Sequence, residues 1–368
     1  MGVIVTRPRY LFHAMSQLNR RRLLLSGLSA GLAVPAIAQA VHAQTPTPNA
    51  PTISLPQLEG LDAIFGSSGT RSPQPVVRFS PTVPYNRAVS QRLILCSQLG
   101  IAQFEQGEQD PNFKGDLRAL KGYPADLLAR YTQVASFTAV LDATTTLFTN
   151  LGELGERIAR RILRPRQVFL GFALTSPTEN IIVFRGTMNP KEWIANFQAR
   201  QSDYPRSRQI QGRVHTGFLR LYQQLAGQVR QVADQLNPNV PCYIAGHSLG
   251  GALATLAVAD LATNYANLAN QLYLYTYASP RVGDEAFALS MREAAPNSYR
   301  VLNFSDVVPM VPPMELSKDR YTHIGQEWMF LDYAGGDVSE SHAVPAYAGA
   351  IARQLETNQM PTFPTACR

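Results

Sequence analysis

The sequence predicts an α/β fold in a single domain, with a mostly parallel central sheet flanked by helices. Three observations predict it. From about Tyr85 to the end, short apolar runs of strand length alternate with longer segments whose apolar residues recur at helical spacing. Strands separated by helices favour a parallel sheet covered on both faces. There is no internal repeat and no second linker after residue 84, so residues 85–368 read as one unit. Hydrophobic residues make up 45% of the chain, enough for a large buried core.

The elements follow in order. Arg87 to Gln106 and Thr132 to Leu163 carry helix-like apolar runs, the second with a break near Thr149-Asn150. Val168 to Ala173 and Asn180 to Phe184 read as neighbouring strands, with Ser176-Pro177-Thr178 turning between them. Phe218, Leu221, Leu225, Val229, Val232 and Leu236 form one face of a long amphipathic helix. Val240 to Ala245 is a short buried strand, and helical spacing returns from Leu249 to Leu261. Leu272 to Tyr277 and Arg300 to Phe304 are further strands, and Val344 to Leu355 is a closing helix.

Two segments precede this domain. Residues 1–43 hold Arg7, Arg9, Arg20, Arg21 and Arg22 and no acidic residue. Without these five arginines the net charge falls from +7 to +2, which gives no compositional case for nucleic-acid binding. Asn19-Arg20-Arg21-Arg22-Leu23-Leu24-Leu25 leads into an uncharged stretch that ends in small residues at Ala38-Gln39-Ala40 and Val41-His42-Ala43. That order is the layout of an export signal, and the paired arginines resemble the bacterial twin-arginine type. Periplasmic or extracellular location is therefore expected. Residues 44–84 contain Pro46, Pro48, Pro51 and Pro56 and read as an extended linker or arm. Of three cysteines, Cys242 falls in an apolar run and reads as a buried thiol, whereas Cys96 and Cys367 form a candidate disulfide in an oxidising compartment.

The richest local signal is Ile244-Ala245-Gly246-His247-Ser248-Leu249-Gly250-Gly251-Ala252. Gly246-x-Ser248-x-Gly250 lies between a short apolar strand and an amphipathic helix. A strand turning sharply into a helix crowds the bend, so its neighbours must lack side chains. The result is a serine hydroxyl at a helix N-terminus, where amide groups favour developing negative charge. Ser248 is thus a candidate nucleophile, and Gly246, His247 and Gly250 complete its elbow.

A serine hydroxyl needs a base, and the base needs an orienting acid. His13 and His42 fall in the leader, and His247 points away from the serine within its own elbow. On this turn the acid and base follow the serine in chain order, which sets His215 aside and leaves His323 and His342. Asp260 lies on the helix after the elbow, on the wrong side of the turn. Asp284, Asp306, Asp319, Asp332 and Asp337 remain. Asp306 directly follows the strand Arg300 to Phe304, where open α/β sheets place their functional groups.

Five segments in this order resemble the class 3 lipases, the fungal triacylglycerol lipase type of the α/β-hydrolase superfamily. They are Ile182-Val183-Phe184-Arg185-Gly186-Thr187, Trp193-Ile194-Ala195-Asn196, Val214-His215-Thr216-Gly217-Phe218, Tyr277 to Asp284, and Ser305-Asp306-Val307-Val308-Pro309, with the elbow among them in chain order. The resemblance implies the catalytic set Ser248, Asp306 and His342. His342 stands in Ser341-His342-Ala343-Val344-Pro345-Ala346-Tyr347 ahead of the last helix, whereas His323 in Tyr321-Thr322-His323-Ile324-Gly325 matches a structural segment. It implies an oxyanion hole formed by the N–H groups of Leu249 and Thr187, and a candidate lid containing Met188, Trp193, Ile194 and Phe197. Ester hydrolysis follows as the expected activity, on a lipid or ester substrate at a lipid–water interface, with no metal and no organic cofactor. Phospholipase and feruloyl-type esterase activities share this machinery, and a lipid-binding protein with a silent site is the alternative from another class. Arg200 to Arg213, basic and polar, departs from the family pattern near the entrance.

Overall fold

The computed structural model describes residues 77–120, 125–141, 166–187, 200–205, 207–316, 318–332 and 338–357. The segment 1–43 expected to be an export signal, most of the expected arm, the candidate lid residues Met188, Trp193, Ile194 and Phe197, and Cys367 lie outside the described residues.

Helix α1 spans Arg87–Gln109, started by the Asn86 side chain, which accepts from the Val89 N–H at 3.1 Å. It buries Leu93, Ile94, Cys96 and Leu99. A short helix α2, Ala125–Ala129, leads into the first strand, β1, Thr132–Leu141. Over 132–141 this corrects the helix expected from Thr132 to Leu163, the rest of which lies outside the described residues. The segment alternates with period two: Phe137 and Ala139 are buried, while Val140 is 43% exposed. Phe137 stacks on Phe184 at 5.5 Å, and β1 pairs antiparallel with β2, Arg166–Thr175. Its Thr and Val residues suit a pleated, half-buried surface, and tertiary pairing overrode an apolar spacing compatible with either element.

The chain continues through β3, Asn180–Phe184, a small hairpin of β4, Gln201–Asp203, and β5, Arg213–His215, and helix α3, Thr216–Ala233. Strand β6, Cys242–His247, passes directly into α4, Leu249–Asn264, followed by α5, Ala266–Ala269, and β7, Leu272–Tyr277. Then come α6, Glu285–Ala294, β8, Ser298–Asn303, a second hairpin of β9, Glu315–Leu316, and β10, Asp319–Arg320, and the edge strand β11, Gln326–Phe330. Helices α7, Val338–His342, and α8, Val344–Thr357, close the described chain.

The main sheet runs β1-β2-β3-β6-β7-β8-β11, with parallel pairing from β3 to β11 and antiparallel pairing at β1 and β2. One face packs on α3, α4 and α6 through Ile182, Ile244, Leu274, Leu253, Leu225 and Phe287. The other packs on α1 and α8 through Val183, Tyr275, Val301, Leu93 and Ile351. Helix α4 is buried from Leu249 to Ala262, as a helix apolar on all sides must be, which corrects the amphipathic helix expected after the elbow. Residues 77–84, in the arm by sequence, bind the domain. Val77 and Phe79 are buried, Thr82 Oγ1 and the Val83 N–H donate to Asn297 Oδ1, and the Tyr299 hydroxyl donates to the Val83 carbonyl.

Parallel registry brings the ends of β3, β6, β7, β8 and β11 to one edge. Gly186-Thr187, Ser248, Ala278-Ser279, Asp306 and Leu331-Asp332 leave the sheet there.

Candidate active site

Ser248 sits between β6 and α4 with φ 60° and ψ −129°, and its N–H donates to the Tyr277 carbonyl at 2.8 Å. A non-glycine residue in this backbone region is strained, and the surrounding packing must enforce it. The glycines do so. A Cβ on Gly246 would collide with the Gly250 carbonyl, and one on Gly250 would collide with the Phe184 carbonyl at the end of β3. Close contact between the strand and the helix start therefore requires both.

A serine at a helix start usually bonds its hydroxyl to an amide of the first turn. Ser248 makes no such bond. Its Oγ is buried and has no hydrogen-bond partner, although the residue is only 1% exposed. Leu249 follows as the first residue of α4, so its N–H has no intrahelical acceptor. The end of β3 crosses close by: a Cβ on Gly186 would lie 2.9 Å from Ser248 Cβ. Arg185 anchors this crossing. Its Nε donates to the Phe169 carbonyl at 2.9 Å, its Nη1 to the Gly186 carbonyl at 2.6 Å, and its guanidinium lies 3.8 Å from the Phe104 ring centroid. Thr187 follows directly.

Asp306 and His342 meet at this edge. His342 Nδ1 lies 2.8 Å from Asp306 Oδ2, and both side chains are buried. The same oxygen accepts from the Tyr347 hydroxyl at 2.7 Å, and Oδ1 accepts from the Val308 N–H at 2.9 Å. With Nδ1–H donated to the carboxylate, Nε2 is the free basic position. It too is buried without a hydrogen-bond partner. Ser248's neighbour brings this imidazole close: the His247 and His342 rings are 4.7 Å apart, and His247 Nε2–H donates to the His342 carbonyl at 2.7 Å. Burial, then the neighbouring imidazole, holds the His247 pKa well below its usual value, so its ring is neutral.

The other sequence candidates have different partners. His323 accepts a structural place beside the Pro309 backbone, its pKa lowered by burial and by Arg300 and Arg281. His215 starts α3, its Nδ1 accepting from the Phe218 N–H at 3.2 Å. Asp284 starts α6, Asp319 pairs with Arg213 at 2.9 Å, and Asp332 pairs with Arg353 at 2.6 Å. Asp337 lies outside the described residues. Cys96 and Cys242 are free, buried thiols, each pushed up to about 12 by burial. Cys367, the expected partner of Cys96, is not among the described residues. No group of three or more His, Cys, Asp or Glu among the described residues is arranged to hold a metal ion.

Residue-type reasoning passed over three participants. Arg185, Asn303 and Tyr347 all stand in segments that drew attention, but nothing in their local spacing reveals that they are buried around the same edge. Asn303, wholly buried, donates through Nδ2 to the carbonyls of Asp332 at 2.8 Å and Ser341 at 3.1 Å. Its N–H donates to the Tyr347 hydroxyl at 3.0 Å.

A strained serine between strand and helix, with an acid and a histidine gathered at the same edge of a largely parallel sheet, defines the α/β-hydrolase class. Residues 181–316 match the family described as lipase (class 3). Secreted mono- and diacylglycerol lipase 1 of Fusarium solani is 35% identical over 170 residues, covering 45% of this chain and 47% of its own. A lipase of Rhizomucor miehei is 36% identical over 156 residues, 41% of each. Phospholipase A1 EG1 of Oryza sativa subsp. indica is 30% identical over 205 residues, 46% of this chain and 47% of its own. The chain thus spans about half the length, or less, of these curated relatives. The crystal structure of a lipase from Rhizopus microsporus var. chinensis aligns at TM-score 0.49 with 24% identity, over 73% of this chain and 83% of that one.

Proposed function

We propose that this protein is an exported serine hydrolase that cleaves carboxylic esters of lipids through an acyl-enzyme. The observation that carries the proposal is the pair of unsatisfied atoms at the sheet edge. Ser248 Oγ and His342 Nε2 are both buried without a partner, while Nδ1 of the same imidazole is held by Asp306. Leaving such groups unpaired costs about 1–3 kcal/mol each, and these two stand at one sheet edge with the Asp306 carboxylate behind the imidazole.

In the proposed reaction His342 Nε2 takes the proton from Ser248 as Oγ attacks the ester carbonyl. Asp306 holds the imidazole and supports its positive form, and the Leu249 and Thr187 N–H groups receive the oxyanion. The proton then passes to the departing alcohol. Water, activated by the same imidazole, releases the acid and restores the serine. The chemistry draws on no metal or organic cofactor.

A lipid substrate is supported by the class 3 family and by apolar side chains exposed at the same edge, Phe304 at 59%, Leu331 at 64% and Val307 at 37%. Met188, Trp193, Ile194 and Phe197 are proposed as a lid at a lipid–water interface. Export through the Arg20-Arg21-Arg22 leader, to the periplasm or beyond the cell, accords with the secreted Fusarium relative. A second reading, hydrolysis of phospholipids on the same machinery, is favoured by the similarity to the rice phospholipase A1.

Covalent labelling by a fluorophosphonate tests the reaction. Wild type is expected to be labelled and Ser248→Ala not. A folded wild type that resists labelling would point to a lipid-binding protein with a silent site. Emulsified triglyceride and phospholipid vesicles, compared with p-nitrophenyl esters of increasing chain length, separate the substrate readings.

A further inference from the structure

His342 is the one member of the proposed set that no strand of the sheet carries. It ends the five-residue helix α7, with Ala343 alone between it and α8, so its backbone must be held by something other than sheet hydrogen bonds. Two consecutive carbonyls do this. The Ser341 carbonyl accepts from Asn303 Nδ2 at 3.1 Å, and the His342 carbonyl accepts from His247 Nε2–H at 2.7 Å. Asn303 is the last residue of β8, three before Asp306, and His247 is the last residue of β6, next to Ser248. Each strand that delivers a member of the set thus also grips the segment that delivers the third.

We propose that His247 and Asn303 are positioning residues that set the His342 imidazole against Ser248 and Asp306. This rests on the ester-hydrolase reading above. Both side chains are buried, at 5% and 0% exposure, and both bonds are made to main chain, so they fix the height and direction of the segment whatever its side chains do. The His247 ring adds a second restraint through its face: it lies 4.7 Å from the His342 ring, tilted by 44°, and 5.5 Å from the Tyr347 ring, edge-on at 80°. Tyr347 in turn bonds Asp306 Oδ2 at 2.7 Å, so the His247 ring borders the whole acid–base pair. The bond to His342 needs the proton of His247 on Nε2, because a carbonyl only accepts. A neutral ring meets that need and places no second positive charge beside the imidazolium formed during turnover.

A general base displaced by about 1 Å loses on the order of 100-fold in rate without losing substrate affinity. His247→Leu keeps bulk but removes the donor, and His247→Gln keeps an amide N–H able to reach the same carbonyl. On a soluble short-chain p-nitrophenyl ester, with active sites counted by fluorophosphonate titration, His247→Leu is expected to lower kcat 10- to 100-fold. KM should stay within about 2-fold, and His247→Gln should recover most of the loss. Asn303→Leu should show the same kcat-only loss. If His247→Leu does not fold, His247→Asn, whose shorter amide falls short of the carbonyl, replaces it beside His247→Gln.

Wild-type kcat per titrated site in the leucine or asparagine variants would overturn the proposal, as would a loss confined to KM or to thermal stability. Equal losses in His247→Gln and His247→Leu would overturn it too. Failure of the underlying reading looks different, since wild type itself would then be neither labelled nor active.

Discussion

Two buried aspartates, Asp260 and Asp306, begin as similar groups and end in different uses. Asp260, on α4, is satisfied on every side: Arg230 reaches it through Nε and Nη2, the closest contact being 2.7 Å, the Tyr222 hydroxyl donates at 2.8 Å, and Asn264 Nδ2 at 2.6 Å. Its cluster closes on itself and ties α3 to α4. Asp306 is equally enclosed, but its chain of bonds runs through His342 to an Nε2 with no partner. A closed polar cluster serves stability, whereas an unpaired nitrogen at the end of such a chain of bonds still has an acceptor position open. The contrast also separates the two by topology: Asp260 lies within a helix that starts at the sheet edge, and Asp306 lies at the edge itself.

The sharpest way to break this comparison is to remove the open end. Ser248→Ala or His342→Ala should lower kcat about 10⁴- to 10⁶-fold, as removal of one member of such a set does elsewhere. His323→Ala, by contrast, should stay within about 3-fold per folded molecule, because its bond goes to the backbone near Pro309. Should His323→Ala abolish turnover without unfolding and His342→Ala spare it, the assignment of the base is wrong. Asp306→Asn should cost about 10⁴-fold in kcat through the wrong imidazole tautomer, with folding largely retained.

Asp260→Ala should do the reverse. Arg230 is half exposed and can rehydrate, so the cost comes mainly from the buried Tyr222 hydroxyl left unpaired, about 1–3 kcal/mol. A lowered Tm with unchanged kcat per titrated site is the expected pair of results, and a kcat loss would erase the distinction between the two clusters. The smallest effect concerns acid. The folded pKa of His247 is depressed well below 6.5, so below that pH the unfolded chain takes up a proton that the folded one does not. Its contribution to stability is therefore complete above about pH 6.5 and declines as pH falls through it. Chemical denaturation of Ser248→Ala at a series of pH values, with and without His247→Gln, should show a shallower acid decline when His247 is absent.

Much of the elbow was legible in the residues because its constraint is local. Gly246, Ser248 and Gly250 stand within five positions, and the collisions that demand glycine there involve the same turn and its adjoining strand. Asp306 was legible through its place just after a strand. The choice between His323 and His342 was open to residue reasoning and turned on the family resemblance, since the two lie 17 and 36 residues beyond Asp306 in chain order. The β1 segment misled for a physical reason: Thr132 to Leu141 carries apolar residues that fit either period, and only pairing with β2 and the stack of Phe137 on Phe184 selects the strand.

By itself, then, the sequence determined the α/β class, the serine at its strained turn and the segments around it, because short-range sterics and hydrophobic periodicity are written in neighbouring residues. Tertiary structure decided which acid meets which histidine, that the His247 ring reaches the His342 carbonyl, and that Asn303 and Tyr347 border the same edge. Those pairings join residues 36 to 95 positions apart, and only the stacking of parallel strands makes such distant chain positions neighbours.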